Sequence, residues 1–89
     1  MDKQKLHQEL EKLHAELQEV ASADPNDREL FQSLAADIRK LLEQTESETH
    51  HYRSLRERLR ETIAEVEASH PRTTLRMRQL IDQIAFMGI

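Results

Sequence analysis

The apolar residues near the amino terminus fall into a strict alternation of spacings. Leu6, Leu10, Leu13, Leu17 and Val20 are separated by four, three, four and three residues. That is the a/d pattern of one helix face. The pentads Leu6-His7-Gln8-Glu9-Leu10 and Leu13-His14-Ala15-Glu16-Leu17 nearly repeat one heptad apart. Nearly everything else in the segment is polar or small, so the pattern predicts a helix over residues 2–21 that lays one narrow stripe on a partner surface. The polar stretch Ser22-Ala23-Asp24-Pro25-Asn26-Asp27 reads as a stop and a restart. Asp24 is suited to cap backbone N–H groups, and proline at a first helical position forfeits no hydrogen bond. A second helix over 25–45 follows, with Leu30, Phe31, Leu34, Ile38, Leu41 and Leu42 on a wider apolar face.

From Glu43 to Arg53 the pattern supports two readings. Thr45 to His51 is polar and poor in helix formers, which predicts a bend over residues 46–51 and a third helix over 50–69 carrying Tyr52, Leu55, Leu59, Ile63 and Val66. Yet the stretch holds neither Gly nor Pro, and the heptad register runs through it. The alternative is therefore one uninterrupted helix from Pro25 to Ser69, about 65 Å long. Ser69-His70-Pro71 ends that segment under either reading, because a residue before proline is pushed out of the helical region. Pro71 opens a last helix over 71–87, with Leu75, Met77, Leu80, Ile81, Ile84 and Met87, and Gly88 stands where a left-handed cap is expected.

These elements predict an all-α fold, one helical domain over residues 1–89. Its four segments form an antiparallel bundle with coiled-coil-like seams. The alternative packs two short helices on one long central helix. The composition agrees: the 89 residues include twelve Leu but two Val, one Gly and three aromatic residues, which is no sheet-forming mixture. The absence of Cys excludes a disulfide scaffold and a thiolate metal site. Met1 to Lys5 lead into no apolar stretch and no run is long enough to span a bilayer, so a soluble cytoplasmic protein is expected. The net charge of −4 is divided unevenly, about −6 over residues 1–52 and +2 over 53–89, so the two halves attract.

The chain resembles a known family over nearly its whole length, most distinctively at its carboxyl end. Glu67-Ala68-Ser69-His70-Pro71-Arg72-Thr73, then Gln79-Leu80-Ile81 and the ending Phe86-Met87-Gly88-Ile89, are similar to a family of short bacterial proteins catalogued as domain of unknown function 4404. The resemblance implies an all-helical bacterial protein and brings no catalytic residue with it.

The candidate chemistry is sparse. His7 and His14 share a side of the first helix but stand two turns, about 10 Å, apart, too far for one ion held at about 2.1 Å by each nitrogen. His50 and His51 point roughly 100° apart on a helix, and no two-histidine zinc motif is present. No metal, cofactor or catalytic residue is therefore expected, and no enzyme. His70 and Pro71 read as a structural corner. Arg53, Arg56 and Arg60 share a helix face and are candidate phosphate contacts, but interleaved Glu57, Glu61, Glu65 and Glu67 weaken that field and the overall acidity opposes nucleic-acid binding.

The expected function is that of a protein–protein interaction or structural module that self-associates, a dimer being the first guess. Its candidate interface is Leu6, Leu10, Leu13 and Leu17, with Phe86, Met87 and Ile89. The last three cannot all face one core, so apolar area is left for another chain. The alternative is a nucleic-acid-associated accessory protein using the arginine face.

Overall fold

The computed structural model describes residues 2–43 and 49–86. Four helices follow in order: α1 (Asp2–Ala23), α2 (Arg28–Glu43), α3 (Thr49–Val66) and α4 (Pro71–Phe86). Each helix packs on its neighbours in sequence, and α4 returns to pack on α1. The result is an antiparallel ring of four, with α1 across the core from α3 and α2 across from α4. The long axis of 36 Å matches the roughly 33 Å expected of a 22-residue helix, so α1 runs the full length of the bundle.

The Leu6, Leu10, Leu13 and Leu17 seam is the spine of this core, each residue between 0 and 2% exposed. Facing it are Phe31, Leu34, Ala35, Ile38 and Leu41 of α2. Leu55, Leu59, Ile63 and Val66 come from α3, and Met77, Leu80 and Ile84 from α4. The seam proposed from sequence as an interface between chains is thus closed by this chain's own helices. The wider apolar face of α2 is buried in the same core, with Leu30 and Leu42 packed at its edge.

The single long helix is ruled out. Arg58 of α3 pairs with Asp37 of α2 and donates to the hydroxyl of Ser33 over 3.0 Å. On one straight helix residues 37 and 58 would stand about 31 Å apart. The continuous heptad register across this region is therefore a coincidence of phase, and α2 and α3 are separate helices packed on each other.

The helix ends differ from the sequence expectation for local reasons. The second helix begins at Arg28 rather than at residue 25. Asp27 holds the capping place, its carbonyl accepting from the Phe31 N–H at 3.0 Å. Asp24 instead accepts from the Asn26 N–H at 3.0 Å, an Asx turn that bends the chain before α2. The Arg28 guanidinium donates to the Ala21 carbonyl at 3.1 Å, satisfying one orphan acceptor at the end of α1. The third helix stops at Val66 rather than 69, where the Val66 carbonyl is shared between the Ser69 N–H, three residues on, and the His70 N–H, four residues on, and Pro71, with no N–H to donate, follows. Pro71 opens α4 as expected, with the His70 carbonyl accepting from Thr74 N–H at 3.0 Å. Of the bend expected at 46–51, residues 49–51 belong to α3 instead, and residues 46–48 lie outside those described, as do Met87, Gly88 and Ile89.

Candidate functional site

Two places on the bundle carry more than packing. The first is the corner at the end shared by the α1–α2 and α3–α4 connections. His70 caps α4 through its backbone and turns its ring toward the other connection. Its Nε2 lies 2.8 Å from Asp24 Oδ2 and 3.4 Å from Asp27 Oδ2. The ring meets Phe31 edge to face, centroids 5.1 Å apart at 85°. All three polar side chains are partly buried.

Asp24 feels this arrangement. The His70 hydrogen bond holds its carboxyl below the ordinary value of 3.8, helped by backbone N–H donors from Asn26 and Asp27 and opposed by burial. His70 and Pro71 stand at the turn between α3 and α4, and the partners of His70 are two carboxylates that no local spacing announces, since they lie more than forty residues upstream. Among the described residues, Asp24, Asp27 and His70 are the place where three metal-ligating side chains converge, their donor atoms within 4.8 Å of one another. Chemically the trio is a clasp, in which one imidazole ties two acidic side chains and thereby joins two connections.

The second place is the outward face of α4. Leu75 is 56% exposed and Phe86 75% exposed. The sequence pattern groups Leu75 with the apolar residues of this helix, but it points away from the core, and Thr73 and Thr74 are buried on the inner side. The reason is angular. At about 100° per residue, Leu75 lies some 140–180° around the helix from Met77, Leu80 and Ile84. Arg76 anchors α4 to α1 through Glu16 at 2.9 Å, and Arg78 pairs with Glu67 at the end of α3.

The remaining sequence candidates are scattered. Arg53 and Arg60 are exposed and Arg56 is partly covered, with Arg60 3.6 Å from Glu57. His7 pairs with Glu11 one turn on at 2.7 Å, while His14 faces the open groove between α1 and α2. His51 lies on α3, on another side of the molecule from His7, and the His50 side chain falls outside those described. The histidines at 7 and 14 are not brought to a common centre.

Fold and corner together define a small antiparallel four-helix protein with a filled core and a histidine–carboxylate clasp at one end. The chain belongs to the family described as Domain of unknown function (DUF4404), whose model matches residues 6–89. No curated protein and no solved structure matches it.

Proposed function

We propose that the protein is a helical interaction module that self-associates through the outward face of α4. The observation that carries this reading is the pair of exposed large apolar residues, Leu75 and Phe86, on a helix whose opposite side already fills the core. Burying such side chains is worth about 1.5–3 kcal/mol each. A bundle that closes its core with one chain leaves them free for a second.

In this reading the protein is not an enzyme. Its described grooves are shallow and open, and its charged side chains largely pair across helix faces, as Arg58, Arg76 and Arg78 do. In this reading it works in the bacterial cytoplasm, in keeping with the resemblance noted above; among the described residues no helix is long and apolar enough to cross a membrane. Nucleic-acid binding gains no support, because the face bearing Arg60 is neutralised by Glu57 and by the overall acidity.

Light scattering coupled to size exclusion, across a wide dilution series, tests the proposal. The expected result is a mass above one chain that falls on dilution and collapses to one chain in Leu75→Ser/Phe86→Ser, with helicity unchanged. A single-chain mass at every concentration overturns it.

A further inference from the structure

We infer that the surface covering the outward face of α4 is α4 of a second copy, running antiparallel, with Leu75 against Phe86 and Gln79 against Asp82. This deepens the reading of the protein as a self-associating module and rests on it.

The argument starts from helix geometry. Measured around α4 from Leu75, Asp82 lies about 20° to one side, Phe86 about 20° to the other and Gln79 about 40° away. These four positions fit within an arc of about 60°, opposite the core-facing residues. Leu75, Gln79 and Asp82 are exposed, as is Phe86. Their spacing of four, three and four residues is again the a/d spacing, here with Leu75 and Phe86 at the ends and the polar Gln79 and Asp82 between them. The helix therefore carries two seams, one satisfied by the chain itself and one facing solvent.

The chemistry along the outer seam selects its partner. A half-turn about a point midway between Leu80 and Ile81 carries Leu75 onto Phe86 and Gln79 onto Asp82. Apolar then meets apolar at both ends, and in the middle the Gln79 amide donates to the Asp82 carboxylate twice. Such self-complementarity is what a twofold isologous contact requires. The antiparallel sense also opposes the two helix dipoles. A parallel pairing would set Asp82 against Asp82, two like charges across a close seam, and would leave each glutamine facing its own copy. Arg78, on the flank of the same face, comes in the antiparallel register to the level of Gln83 of the second copy, beside the acidic Asp82.

The experiment uses the absence of native cysteine. Leu75→Cys and Phe86→Cys proteins are prepared separately and oxidised either alone or mixed, with light scattering run on each sample. Both positions are exposed, so the single-chain fold is preserved and circular dichroism verifies it. In the antiparallel register Cys at 75 meets Cys at 86 of the other copy, while two copies of position 75 stand about 16 Å apart, far beyond disulfide reach. The expected result is cross-linking roughly tenfold faster in the mixture than in either protein alone. Equal or faster cross-linking of Leu75→Cys by itself overturns the register. So does failure of the mixture to cross-link in a sample that scatters as a dimer, and both outcomes leave self-association standing. A single-chain mass in every sample overturns the register and the module reading together.

Discussion

Leu13 and Leu75 offer a matched pair for deciding where the protein keeps its stability and where it keeps its contacts. The same truncation to Ala is made at a residue with 0% exposure and at one with 56% exposure. At Leu13 the lost methyl and methylene groups are fully buried in the core cluster. Removing them forfeits about 0.8 kcal/mol per carbon in transfer energy, and the residual cavity brings the cost to roughly 2–5 kcal/mol. A domain of this length holds about 4–13 kcal/mol in total, so Leu13→Ala removes a large share of it. At Leu75 the side chain is directed away from the core, and the cost to the isolated chain is within about 0.5 kcal/mol. Urea unfolding followed by circular dichroism, at a concentration dilute enough for single chains, reads both. With a slope of about 1–2 kcal/mol per molar urea, the Leu13→Ala midpoint falls on the order of 2 M while that of Leu75→Ala barely moves. The reasoning is refuted if Leu13→Ala costs less than about 1 kcal/mol, or if its cost appears only at concentrations where chains associate. Either result would mean that the α1 seam faces another chain after all.

Three further outcomes are expected. Because Asp24 is held below its ordinary value of 3.8 in the folded protein, the unfolded chain binds that proton more readily. The stabilisation is complete above pH 3.8 and is lost as pH falls below it through the folded-state value. Unfolding midpoints followed downward in pH should therefore fall less steeply in Asp24→Asn than in the unmodified chain. Phe31→Ala removes the largest buried side chain and the ring against His70, and should cost about 3–5 kcal/mol in thermal or urea unfolding. A double-mutant cycle on Arg58→Gln and Asp37→Asn should give a coupling of about 0.5–1 kcal/mol, as suits a half-exposed pair joining α2 to α3. A coupling of zero would show that the contact contributes nothing to holding those two helices together.

The helices were legible because periodicity reports which side of a helix is apolar. It does not report what that side meets, so the pattern that marks Leu6, Leu10, Leu13 and Leu17 as a seam does not say that α2, α3 and α4 of the same chain close it. Helix ends depend on single backbone hydrogen bonds, so Asp27 rather than Asp24 caps α2 for reasons that composition does not carry. The corner was readable at His70-Pro71 from the restriction that proline imposes. Its partners were not, since Asp24 and Asp27 are brought to it only when both hairpins fold against each other. The outward position of Leu75 was available in principle. Projecting α4 at 100° per residue places Leu75 and Phe86 together and opposite Met77, Leu80 and Ile84, a separation that a linear list of apolar residues conceals.

The return of α4 onto α1 gives the molecule a cyclic order. Lys5 and Glu9, near the start of α1, line the same groove as Gln83 and Phe86, near the end of α4. A short peptide bridging those neighbouring ends would convert the protein into a closed loop of four rods, each still beside the same two neighbours. Such a loop could be reopened between α1 and α2, sacrificing the tie from Asp24 to His70 but leaving the leucine spine enclosed. The arrangement of rods around the axis, and not the point at which the polypeptide starts, is what this fold encodes.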